Sequence, residues 1–153
     1  MKVLLAVDGS HCSDAVIDEV TQRVWPKGTE FKVLGVVHII SDWPDPIFFG
    51  VRMMAYEQHR KEARDNIDKA TTKLIETFGN ENFPIIGEIL EGSPKKLIVE
   101  EAENWGADLI ILGSHGRGAV GKTFLGSVSL AVVSHAKCSV EVVRAKTLAA
   151  VAA

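Results

Sequence analysis

The chain has 153 residues, a length that suits one domain with a core of its own. Its net charge of −3 supplies no basic field for nucleic acid or an anionic membrane, and 46% hydrophobic with 24% charged residues is the balance of a soluble globular protein. Its two cysteines, Cys12 and Cys138, are too far apart for a Cys-x-x-Cys site, which argues against a disulfide framework or zinc site and suits a reducing compartment.

Lys2 to Val7 reads as a buried strand, apolar on both faces and ended by Asp8-Gly9. Because the run stops at Asp8, it is too short for a signal-peptide core. No stretch approaches the roughly 20 apolar residues of a membrane span, so the expected address is cytoplasmic. Ser10 caps a helix with Val16, Ile17, Val20 and Val24 facing inward, closed by Trp25-Pro26-Lys27-Gly28. Phe31 to Ile40 is a second buried strand. Ser41 to Gly50, with two prolines and two acids, is a loop.

A long helix follows from Met53 to Phe78, with Ala63, Ile67, Ala70, Leu74 and Phe78 on one face and charge opposite. Gly79 is its left-handed stop. Phe83 to Leu90 is a third strand. Ser93-Pro94 starts a helix, hydroxyl cap before first-turn proline, that carries Leu97, Ile98, Ala102 and Trp105 inward and stops at Gly106. Ala107 to Leu112 is a fourth strand, Ser127 to Ala136 a short helix and Ser139 to Arg144 a fifth strand. The domain spans 1–146, and 147–153 is a featureless tail. Strand and helix alternate throughout, which predicts a parallel sheet with right-handed crossovers and helices on both faces. Ligands bind such sheets beyond the carboxyl ends of the strands, where the strand order reverses.

The loop after the fourth strand, GSHGRGAVGKTFLGSVS, holds two phosphate patterns at once. Gly116 to Thr123 spells the G-x-x-x-x-G-K-T of a P-loop, with Lys122 on phosphate and Thr123 on magnesium. That motif needs a helix opening at Gly-Lys-Thr and a second strand ending in a metal-binding Asp. Here Gly126-Ser127 interrupts the first position, and the downstream strand has no Asp. The second pattern, G-x2-G-x9-G-S from Gly113 to Ser127, fits its surroundings better. Gly113 and Gly116 clear the strand end, while Gly126-Ser127 opens a helix whose amides and dipole attract an anion. Ser127 and Ser129 add hydroxyls beside those amides.

With VLLAVDGS, VVHI, ADLIILGSHGRG followed by LGSVS, and KCSVEVVR, the chain resembles the universal stress protein family in its nucleotide-binding branch, over residues 1 to about 146. The resemblance implies a five-stranded parallel sheet of order 3-2-1-4-5 with Rossmann-like layering, ATP or a related adenine nucleotide as cofactor, possible magnesium with the phosphates, and a homodimer. It implies that Ala6, Val7 and Asp8 border the adenosine, that Ile39 offers backbone to the adenine, and that Leu112-Gly113 line the ribose. Gly116, Gly126, Ser127, Val128 and Ser129 would surround the phosphates, with Arg117 and Lys122 beside them in the loop.

Simpler roles stand beside these. Asp8 is also a turn-former, Ser127 a helix cap, His115 a solvent-facing loop residue, His38 a core histidine, and both cysteines small apolar fillers. The last strand would be a sheet edge exposing Val140, Val142 and Val143; antiparallel pairing with its copy would cover it. No base or nucleophile has a positioned partner, so the expected protein is a nucleotide-binding regulator of a stress response, with slow hydrolysis at most. The other readings are a phosphoryl-transfer enzyme using Lys122 and Thr123, and a nucleotide-free interaction module.

Overall fold

Val3, Leu4 and Leu5 are all fully buried, as a strand covered by helices on both faces requires. The computed structural model describes residues 1–38, 48–117 and 124–146. The elements run β1 (Lys2–Ala6), α1 (His11–Thr21), β2 (Glu30–Val37), α2 (Phe49–Phe78), β3 (Ile85–Glu91), α3 (Pro94–Trp105), β4 (Leu109–Gly113), α4 (Ser127–His135) and β5 (Ser139–Val143). The sheet is parallel throughout, in order β3-β2-β1-β4-β5. The strand order therefore reverses at β1, and the carboxyl ends of β1 and β4 lie side by side.

Alternate residues of β1 divide the core. Val3, Leu5 and Val7 pack with Val16, Ile17 and Val20 of α1 and with Ile67, Ala70 and Leu74 of α2. Leu4 packs with Ile98 and Ala102 of α3 and Val132 of α4 on the opposite face. At the amino end of the sheet, Phe31 is fully buried in an aromatic group. It stacks on Phe78 at 5.5 Å, meets Trp25 edge-on at 5.3 Å and lies 6.3 Å from Phe83.

Several boundaries differ from expectation, each for a local reason. Helix α1 ends at Thr21, and Val24 is fully exposed rather than inward. The carbonyl of Val20, which a continuing helix would offer to the Val24 amide, instead accepts from Arg23 N (3.3 Å) and from Trp25 Nε1 (2.9 Å). Helix α2 begins at Phe49, four residues before Met53, so Gly50 lies inside it. At about 1.5 Å per residue its 30 residues span roughly 45 Å. Its first buried residue is Ile67, so the amino-terminal half overhangs the sheet. Gly79 ends it with φ +72° but ψ 145°, outside the left-handed helical well. Strand β3 starts at Ile85 because Phe83 turns into the aromatic group and Pro84 has no amide to give. Ser93 precedes α3 without a side-chain capping bond, although Pro94 does occupy the first turn. The tail 147–153 lies outside the described residues.

Sequence reading also passed over Lys32, set within the apolar run of β2. Its side chain is only 8% exposed, held 2.8 Å from Glu88 and 2.5 Å from Glu101, with the ammonium 5.1 Å from the Trp105 ring. Burial pulls its pKa down, but the bonds to Glu101 and Glu88 outweigh that, and the net shift is upward. Removing the cation leaves a half-buried carboxylate pair. Lys32→Ala should lower the unfolding free energy by about 2–3 kcal/mol in urea denaturation, somewhat less than for a fully buried pair because Glu88 keeps solvent contact. A raised folded-state pKa stabilises fully below the unfolded value. The Lys32 contribution should therefore persist across neutral pH and fade only as pH rises above about 10.4.

Candidate functional site

The turn after β1 is built by its own side chains. Asp8 Oδ1 accepts from Ser10 N at 2.9 Å, Asp8 N donates to Ser13 Oγ at 3.1 Å, and Ser10 Oγ caps α1 by accepting from Ser13 N at 3.2 Å. Gly9 sits at φ +76°, between Asn66 of α2 and Arg117, and a methyl there would fall within 2.7 Å of both.

The end of β4 is fixed more tightly. Ser114 N donates to Val143 O at 2.8 Å, and Ser114 O accepts from Gly126 N at 2.7 Å. The hydroxyl of Ser129, 3% exposed, donates to Gly113 O at 2.7 Å, with Ser114 O at 3.2 Å. The two ends of the glycine loop thus meet at Ser114 in a closed neck. Gly126 is itself the N-cap of α4, and Ser127 is the first helical residue rather than the cap. No intrahelical carbonyl reaches the first-turn amides of Ser127, Val128 and Ser129.

Between these two turns lies a cleft of about 130 Å³. Of the residues singled out from sequence, Ala6, Val7, Asp8, Leu112, Gly113, Gly116, Val128 and Ser129 line it together. Gly126 and Ser127 stand at its rim, in the neck and on the exposed start of α4. Arg117 is turned away, with Nη1 2.7 Å from Glu62 Oε2 on α2. Ile39, Lys122 and Thr123 lie outside the described residues. Sequence reasoning missed Leu34 and Val36 of β2 and Pro94 and Ile98 of α3, which form an apolar end; the Ser93-Pro94 helix start beside β3 was the available signal.

His115 has different surroundings from those expected, and Gly113 has a packing role besides its place in the lining. His115 is half-buried and lines the cleft, its Nδ1 3.0 Å from Ser114 Oγ. Gly113 is required by packing, since a methyl there would lie 2.6 Å from Cys12 Cβ and 3.0 Å from its carbonyl carbon. The Cys12 thiol rests 3.6 Å from Ser114 Oγ. Burial raises its pKa, but the Ala145 backbone, the Ser114 hydroxyl and the His115 backbone outweigh this and leave it lowered.

The helix that a P-loop requires at Gly-Lys-Thr opens at Ser127 instead, with Phe124 to Gly126 non-helical before it. The described residues contain no group of three or more His, Cys, Asp or Glu side chains able to hold a metal ion. Nor does any described helix have the length and apolarity to cross a membrane.

A profile of the universal stress protein family matches residues 1–144. The chain belongs to that family. Universal stress protein Sll1388 of Synechocystis is 26% identical over 94% of this chain and 97% of its own length. A universal stress protein of Thermus aquaticus is 30% identical, over 93% and 97%. Among solved structures, protein MJ0577 superposes with a TM-score of 0.82 at 25% identity, covering 95% of this chain and 96% of the other. UspA of Lactobacillus plantarum gives 0.77 at 27%, covering 94% and 97%. Two more distant members share the fold at a TM-score of 0.67. One, from Arabidopsis thaliana and 18% identical, has AMP bound; the other, 20% identical, is in complex with cAMP.

In this family member the Ser129 hydroxyl hydrogen is already committed to a backbone carbonyl. Ser129→Ala should therefore cost about 1–2 kcal/mol of stability in urea unfolding. Unchanged stability would mean that the hydroxyl is free for other work.

Proposed function

We propose that the cleft at the ends of β1 and β4 binds an adenine nucleotide, ATP or a close relative, and that binding serves a regulatory role in a stress response. The observation that carries this reading is the pairing of two unlike ends in one cleft. Leu34, Val36, Pro94, Ile98 and Leu112 supply an apolar end suited to a base, and the first-turn amides of α4 supply an anion site. The AMP and cAMP complexes of two relatives with the same fold support the choice of adenine. The cleft's 130 Å³ is less than the roughly 300 Å³ at the lower end of small-molecule sites, so the nucleotide fills it in part and extends beyond it at the start of α4.

Phosphate recognition then falls chiefly to the first-turn main-chain amides of Ser127, Val128 and Ser129, with Gly126, whose own amide is bound to Ser114 O, leaving room beside them. Asp8 is the only carboxylate among the described lining residues, and its Oδ2 is left over after Oδ1 takes the Ser10 amide. One carboxylate with the ligand's own phosphates fits the way magnesium is commonly held, so Asp8 would hold an ion travelling with ATP, and that ion would neutralise phosphate charge. His115 contacts Ser114 and no carboxylate among the described residues is bonded to it, so the reading includes slow hydrolysis at most.

The proposal includes a homodimer through β5 and a cytoplasmic setting. Strand β5 is one free edge of the sheet, whereas the other edge, β3, carries Glu88 and Glu91, both engaged in ion pairs. Val140, Val142 and Val143 are half-buried against the protein's own core, so backbone pairing is what the β5 edge offers a second copy. Sedimentation should give twice the 16.6 kDa chain mass; a monomer at micromolar concentration would remove this part of the reading.

Ser127→Asp tests the nucleotide site without disturbing the fold. An acidic residue at a helix start stabilises it by about 0.3–1 kcal/mol, yet it sets a negative charge where the phosphates belong. Calorimetric titration should show AMP and ATP affinities falling by roughly tenfold or more, with adenosine unaffected. Equal affinity of Ser127→Asp and wild type for ATP would place the phosphates elsewhere.

A further inference from the structure

Building on the nucleotide reading, Arg117 stands beside the cleft with two possible partners. The described cleft lining contains Asp8 but neither lysine nor arginine. A phosphate bound by the α4 amides thus finds no cationic side chain in that lining and must be met by one from beyond it. Arg117 immediately follows Gly116, a lining residue, and its Nη2 lies close enough to Gly9 that a methyl there would be 2.7 Å away. Its Nη1 nevertheless points to Glu62 Oε2 at 2.7 Å.

Glu62 is prepared for that contact. It stands in the overhanging half of α2, one turn after Gln58, whose Nε2 donates to Glu62 Oε1 at 3.0 Å. One carboxylate oxygen is held by its own helix and the other by Arg117. The Gln58 amide first, and then Arg117, hold the Glu62 carboxyl below its usual range, so it is ionised at neutral pH.

We propose that Glu62 is an internal competitor for the phosphates: it retains the Arg117 guanidinium while the cleft is empty, and a ligand captures that guanidinium according to its phosphate charge. Glu62 and Arg117 together are then specificity-determining, favouring a triphosphate over a monophosphate and either over a nucleoside. The Arg117 and Glu62 side chains are 50% and 36% exposed, so water screens the pair and exchange of partner is easy. An exposed pair of this kind shifts an equilibrium by no more than about fivefold, which sets a bias among ligands and not a block.

The test is calorimetric titration of the full chain at low ionic strength with ATP, AMP and adenosine. Glu62→Gln keeps the shape and the bond from Gln58 while removing the competing charge. It should raise ATP affinity about two- to fivefold, raise AMP affinity less and leave adenosine unchanged. With Arg117→Gln present, adding Glu62→Gln should no longer alter ATP affinity. Wild-type binding of ATP with no gain in Glu62→Gln overturns the proposal and leaves the nucleotide site standing. A gain of the same size without Arg117 also overturns it, as a general effect of lost negative charge. If neither wild type nor variants bind any of the three ligands, the nucleotide reading falls and this proposal with it.

Discussion

Ser114 is where the architecture and the candidate site become one object. Its amide is bound to the end of β5 and its carbonyl takes the Gly126 amide, while Ser129 ties the same corner to the first turn of α4. These bonds join three elements: the first extends the β4–β5 ladder by one rung, and the others lie outside any ladder. They bring the start of α4 beside the end of β4 although a loop of about a dozen residues separates them in sequence. Since a helix start attracts anions only where its free amides are aimed, this corner decides where the dipole of α4 acts. The glycines serve the same end. Gly126 lets the chain approach Ser114 O closely, and Gly113 admits the first turn of α1.

Much of the fold was legible because its strands are short, apolar on both faces and separated by helical periods. Legibility failed where a distant side chain overruled a local signal. Trp25 takes the carbonyl that would have carried α1 onward to Val24. Gly50 reads as a loop residue, yet it lies within a helix long enough to absorb its weak propensity. Lys32 looks like an interruption in a buried strand until Glu88 and Glu101, far along the chain, supply its partners. The cleft was legible by a topological rule, because Asp8, Leu112 and Gly116 all leave strand ends next to the point of reversal. Its apolar end was not, since Leu34, Val36 and Ile98 carry no signal beyond being core residues. Neither was the partner of Arg117, because 55 positions separate it from Glu62 and only the overhang of α2 brings them together.

Helix α2 accordingly has two different halves. Its second half lies on the sheet and contributes Ile67, Ala70 and Leu74 to the core. Its first half is held to the rest of the protein by polar contacts at its flank: Tyr56 and Arg60 to Glu91, and Glu62 to Arg117. Exposed ion pairs and hydrogen bonds are individually weak and respond to nearby charge, in contrast to the packed second half. The helix thus carries stability at one end and adjustable electrostatics at the other.

The aromatic group of Trp25, Phe31, Phe78 and Phe83 fills the amino end of the sheet, the pole opposite the cleft. The carboxyl-end turns are consequently distant from this cluster along the strand axis, although the cleft's apolar end shares Leu34, Ile98 and Leu112 with the core. Amino-acid changes on the carboxyl-end turns leave this aromatic group untouched. A lineage built this way can explore new chemistries while its folding reserve stays largely intact.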